Sequence, residues 1–271
     1  MNLYQNRIVV KIGTSVLTNA VGQSDLRAID RLAYVLSDIQ NMGYEIILVS
    51  SGAIAIGMNK LCLKNNHTNK RLKRAIAAVG QCNIMCLYSK FFAYYDKTIA
   101  QILMNEDDIR TIEIQESLIN TFNLLLNMKI IPIVNENDSI NHSEIELENK
   151  MAGDNDVLSA VVAELCRVRK LIILTDTEGF YDSDPRIFTN AKLVARIDEI
   201  DEKIHSLTMA AGSRRGTDGM KSKLKAAHLA TSQGIDTIIT NGKNPSVLYE
   251  IIKGKNIGTL FAGNTYTKLS E

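Results

Sequence analysis

Several short clusters in this chain carry residue types suited to handling an anion. In Val10-Lys11-Ile12-Gly13 a lysine sits inside an apolar strand that runs into a glycine turn. Buried, such a lysine needs an anion; with its stem along the sheet and its head in water it needs none, and residue types leave both readings open. Ser50-Ser51-Gly52-Ala53 reads as strand, hydroxyl, glycine and helix start, a terminus whose free N–H groups attract anions, or whose serines simply cap the helix. Asn135-Glu136-Asn137-Asp138 opens from a strand, and Gly153-Asp154-Asn155-Asp156 heads an apolar helix. Their carboxylates and amides suit a site that grips an ammonium group while steering lysines or a metal; the plain alternative is an N-cap at Asp154 and a solvated loop.

Two further segments follow. Thr175-Asp176-Thr177-Glu178-Gly179, continuing to Asp184-Pro185-Arg186, is rich in turn residues. Arg215-Gly216-Thr217-Asp218-Gly219-Met220-Lys221-Ser222-Lys223 reads as a glycine-bearing loop entering a helix at Lys221. Lysines in a first helical turn oppose the helix dipole unless an anion occupies that terminus. Neither GxxxxGK[ST], the protein kinase motifs nor a GxGxxG after the first strand occurs, so phosphate binding must use another scheme.

The elements that would position these clusters alternate as in a βαβ chain. Candidate strands are Arg7 to Ile12, Glu45 to Ser50, Thr98 to Met104, Ile130 to Asn135, Lys170 to Thr175 and Asp236 to Thr240. Helix-period stretches are Asp25 to Met42, Lys70 to Tyr95, Glu116 to Met128, Asp154 to Cys166 and Lys221 to Ser232. With 271 residues, 45% of them hydrophobic, and no linker or repeat, the simplest organisation is one α/β domain over residues 1–271.

Bulk properties narrow the partners. Lys plus Arg number 31 and Asp plus Glu 30, a net charge of +1, which gives no reason to expect nucleic acid or a membrane surface. The basic stretch from Lys64 to Arg74 lacks interleaved aromatics and reads as a solvated helix start. No signal peptide or membrane span is evident, so the expected compartment is cytoplasmic. Cys62, Cys82, Cys86 and Cys166 form no CxxC pair and are expected to be buried free thiols; four scattered histidines suggest no metal site.

Taken in order, VVKIGTSVL, VSSGAIAIG, AVGQ, PIVNENDSI, GDNDVLSA, LTDTEGFYDSDPR and GTDGMKSKLKAA resemble the bacterial glutamate 5-kinases of the amino acid kinase family, from Arg7 to Phe261. The resemblance implies a central, mostly parallel sheet sandwiched between helices, in the short form without a C-terminal PUA-type domain. It implies catalytic Lys11, Lys223 and Asp156, the last organising the lysines. Ser51, Asp138 and Asn155 match glutamate-binding positions. Lys11, Thr175, Asp176 and the run Thr217, Asp218, Gly219, Met220, Lys221, Ser222 and Lys223 match ATP-binding positions. The family pattern GTGGM becomes Gly216-Thr217-Asp218-Gly219-Met220 here, a carboxylate in place of a glycine.

The implied reaction is attack by the L-glutamate side-chain carboxylate on the γ-phosphate of ATP with Mg2+, opening proline biosynthesis, with L-proline as a competing inhibitor and a homo-oligomer as the assembly. Within the family the acceptor could instead be aspartate, acetylglutamate or UMP. Outside it, the fold could serve a catalytically silent sensor of ATP or proline, against which the intact Lys11, Lys223, Asp138 and Asp156 argue. A dinucleotide oxidoreductase is excluded by the missing glycine fingerprint.

Overall fold

The computed structural model describes residues 4–19, 22–63, 69–105, 109, 111–139, 154–185, 187–202, 204 and 217–264, with the backbone alone at 217 and 218. Runs of branched apolar residues become strands: β1 Tyr4–Ile12, β2 Glu45–Ser50, β3 Ile99–Met104, β4 Ile131–Glu136, β5 Val168–Thr175, β6 Arg196–Ile197, β7 Asp236–Asn241 and β8 Thr259–Phe261. The helices are α1 Thr14–Leu17, α2 Leu26–Asn41, α3 Ala53–Lys60, α4 Lys70–Tyr94, α5 Ile112–Asn127, α6 Asn155–Leu165, α7 Thr217–Ser232 and α8 Val247–Ile252. Asp25 and Asn69 cap α2 and α4, each side-chain oxygen accepting from the N–H groups two and three residues on.

The chain divides into two compact units, Met1–Lys11 with Asp156–Glu271, and Ile12–Asn155. In the second, strands run β3-β4-β2, all parallel, with Leu48 opposite Ile133 and Ile102 opposite Val134. In the first they run β1-β5-β7-β8-β6; β5 and β7 are parallel and β8 is antiparallel to β7. Helices flank these mostly parallel strands. Leu171, Ile172, Ile173 and Leu174 are all buried, as a strand covered on both faces requires.

Several expectations are corrected. Strands β6 and β8 and helix α8 were not anticipated, since two to six residues carry too little periodicity to be read. Helix α5 starts at Ile112 rather than Glu116. Helix α7 starts at Thr217, so Lys221 and Lys223 stand a turn or more inside it, where the dipole penalty has faded; Asp218 lies within its first turn and does not precede it. Residues Gly153, Arg215 and Gly216, and the side chains of Thr217 and Asp218, lie outside the described residues. Cys62, Cys82 and Cys86 are exposed and only Cys166 is buried. The buried stripe of α4 is Ile76, Ala77, Gly80, Ile84, Tyr88 and Phe92, so Cys82 and Cys86, though one turn apart, share a different face. Among the described residues no helix is long and apolar enough to cross a membrane.

Candidate active site

In the first unit the apolar run of β1 carries Lys11 inward until only 5% of it is exposed. Its ammonium meets Asp156 Oδ1 at 2.5 Å. Asp156 stands in the first turn of α6, where the helix dipole favours a carboxylate. Its other oxygen, Oδ2, accepts from Lys223 Nζ at 3.1 Å and from Ser222 Oγ at 3.2 Å. Lys223 also donates to the Gly219 carbonyl at 3.2 Å, tying it back to its own helix. Burial alone would push the Asp156 carboxyl up, but Lys11 and Lys223 together hold it below the usual carboxylate range. The three side chains sum to one net positive charge in a largely water-excluded place, which suits an anion.

The remaining positions in this unit are only partly drawn together. Ser222 and Lys223 join Lys11 and Asp156, whereas Lys221 and Gly219 are exposed and Met220 is half-buried. Thr175, buried at the end of β5, donates from Oγ1 to Asp176 Oδ1 at 3.2 Å, and Asp176 itself is exposed. Beyond the ends of β5 and β7 opens a cavity of about 620 Å³ whose wall includes Glu178, Asn241, Lys243, Tyr249 and Lys253. Glu178 Oε1 accepts from Asn241 Nδ2 at 2.7 Å on that wall. The sequence offered no sign of this cavity, because its lining comes from segments read only as turn or strand end.

In the second unit, neither Ser50, at the end of β2, nor Ser51 after it acts as a cap. Gly52 is the N-cap of α3, with φ of +102°, a left-handed conformation that favours glycine, and it has no side chain with which to cap the helix. The Ser51 N–H donates to the Ile12 carbonyl at 3.2 Å, and Ser50 Oγ lies 2.9 Å from Tyr88 Oη. Asp138 is half-buried in a small cleft with Ala53, Gln81, Leu103 and Glu136. Burial pushes its carboxyl up. Asn155 Oδ1 is buried and has no hydrogen-bond partner among the described residues. The sequence reading overlooked Gln81 and Tyr88; the AVGQ motif contained the first, but nothing in its composition pointed to a cleft.

Among the described residues no group of three or more His, Cys, Asp or Glu side chains could hold a metal ion by itself.

Against known proteins, the sequence profile described as the amino acid kinase family matches residues 6–241. A glutamate 5-kinase of Clostridium perfringens is 49% identical over 255 residues, covering 94% of each chain. One of Enterococcus faecalis is 46% identical, again over 94% of each, and one of Listeria monocytogenes 44%, over 94% of this chain and 92% of the relative. Among solved structures, an isopentenyl phosphate kinase of T. acidophilum superposes with a TM-score of 0.64 at 19% identity, covering 94% of this chain and 99% of that one. The UMP kinase of Bacillus anthracis gives 0.65 at 14%, covering 96% of each. At such identities these two likenesses establish the fold alone. With the profile spanning both the β1 lysine and the carboxylate that pairs it, and with relatives so similar over nearly their whole length, this chain belongs to the amino acid kinase family.

Proposed function

We propose that the protein transfers the γ-phosphate of ATP to the side-chain carboxylate of L-glutamate, giving ADP and L-glutamyl 5-phosphate, the first committed intermediate of proline biosynthesis. The observation that carries the chemistry is the pairing of Lys11 and Lys223 on the two oxygens of buried Asp156. The similarity to glutamate 5-kinases at 44–49% identity supports the choice of acceptor.

A carboxylate is ionised near neutral pH, so the acceptor needs no general base. Its oxygen attacks the γ-phosphorus, the bond to the β-phosphate oxygen breaks, and the electron pair leaves on ADP. What the protein must supply is alignment and neutralisation of charge on the phosphoryl oxygens. Lys11 and Lys223 do the latter, held apart and oriented by Asp156. The substrate is the Mg2+ complex of ATP, whose ion offsets phosphate charge. Thr175, Asp176 and the Thr217 to Lys223 segment hold the nucleotide, with the nucleoside in the cavity beside Asn241. Asp138 takes the acceptor's ammonium, and Ser51 and Asn155 hold its polar groups.

L-Proline carries the same ammonium and α-carboxylate without a second carboxylate to phosphorylate, which supports competitive inhibition at the Asp138 cleft. The family resemblance implies a homo-oligomer as the assembly. The reading is tested by ADP release with glutamate, aspartate, acetylglutamate and UMP. Turnover should be greatest with glutamate; equal rates with aspartate, or activity with UMP alone, defeat it.

A further inference from the structure

The hydrogen-bond network under the Asp138 cleft fixes which way two amides face. The Glu136 backbone N–H can only donate, so the Asn135 atom it meets at 2.9 Å is Oδ1. The other atom of that amide is then Nδ2, a donor, and it meets Gln81 at 2.6 Å, which makes the receiving atom Oε1. Gln81 Nε2, with two N–H donors, is thereby turned away from Asn135. Gln81 lines the same cleft as Asp138, and Nε2 meets no protein acceptor among the described residues. Its place is rigid. A Cβ built on the neighbouring Gly80 would fall 1.7 Å from the Ala53 carbonyl oxygen, so only glycine lets α4 approach α3 this closely and bring Gln81 beside Ala53.

An amino acid presents an ammonium and a carboxylate on one carbon, and the cleft presents an acceptor, Asp138, and a donor, Gln81 Nε2. Glu136 also stands on the wall. We propose that Gln81 recognises the α-carboxylate of the acceptor amino acid through Nε2 and so selects α-amino acids over simple amines and acids. The assignment rests on the glutamate reading above.

The test is Gln81→Glu, which keeps an oxygen for Asn135 Nδ2 and the length of the side chain while exchanging the donor for an acceptor. Each protein is assayed with glutamate and with 4-aminobutyrate, which is glutamate without its α-carboxylate. For the variant, kcat/KM with glutamate should fall about 10-fold or more, the effect of losing a hydrogen bond to a charged group, while 4-aminobutyrate and the KM for ATP change little. Equal losses with both acceptors, or undiminished preference for glutamate, overturn the assignment. The wild type gives a second check that needs no variant to fold: 4-aminobutyrate should bind at least 10-fold more weakly than glutamate in competition, and equal inhibition and substrate constants overturn the proposal. A wild type inactive on glutamate defeats the functional reading and this inference together. An active wild type whose variant keeps its preference defeats only this inference.

Discussion

The two polar regions of the molecule solve opposite problems. In the first unit, Asp156 has both oxygens engaged, by Lys11 on one side and by Ser222 and Lys223 on the other. In the second, Asp138 is raised by burial, Asn155 Oδ1 is buried without a partner among the described residues, and Gln81 offers a spare amide. The first region is assembled in advance, so on the reading proposed above charge stabilisation would need no reorganisation at the moment of transfer. The second has hydrogen-bonding capacity that the described protein groups do not use, at a cost in stability that a ligand carrying ammonium and carboxylate groups would offset.

The comparison breaks most sharply if the assembled region is dismantled. Asp156→Ala leaves two buried ammonium groups facing each other, and unfolding in urea should show a loss of about 3 kcal/mol or more. A normal midpoint would mean the pairing contributes nothing. The pH dependence has a definite sign. The folded carboxyl is held below its ordinary 3.8, so its stabilisation is complete above 3.8 and is lost as pH falls from there toward the folded value. Asp156→Asn should flatten that part of the acid limb.

Lys11→Ala and Lys223→Ala should each lower kcat by roughly 100-fold or more, the usual effect of removing one preorganised charge stabiliser. Both proteins should fold, because the other lysine still pairs Asp156. Near-normal kcat in either folded variant removes that lysine from the chemistry.

The adaptable region should respond differently. Asp138→Ala should raise the KM for glutamate by about 10-fold, with kcat and the KM for ATP little changed, since an ammonium contact is held equally in ground and transition states. Because burial raises this carboxyl above 3.8, the wild-type KM for glutamate should climb as acid protonates it, and the variant should lack that climb. An unchanged KM would take Asp138 out of the substrate site. The smallest effect is expected at Asp218→Gly. With the backbone of residue 218 in the first turn of α7, glycine should cost about 0.5 kcal/mol or less in stability, and titration of ATP at two salt concentrations shows whether the nucleotide senses the lost charge.

Much of this was legible in one dimension. The apolar run of β2 coincides with its observed bounds, Glu45–Ser50, because a strand buried on both faces must be continuously apolar. Lys11 stood out because a lysine within such a run conflicts with its surroundings until a partner is found. Local residue types could also list Asp138 in a polar cluster after a strand, and Asn155 and Asp156 in one at the head of a helix. They could not say that Asp156 faces Lys223, 67 residues away, or that Gln81 Oε1 receives Asn135 Nδ2, 54 residues away, since such pairings depend on which helix lies against which strand. The same limit explains the errors. Gly219 suggested a loop where the backbone is already helical from Thr217, and the one-turn spacing of Cys82 and Cys86 showed that they share a face without showing which face α4 buries. Periodicity acts along the chain and is written in it; burial and partner choice are set by what packs alongside, and only the folded molecule decides them.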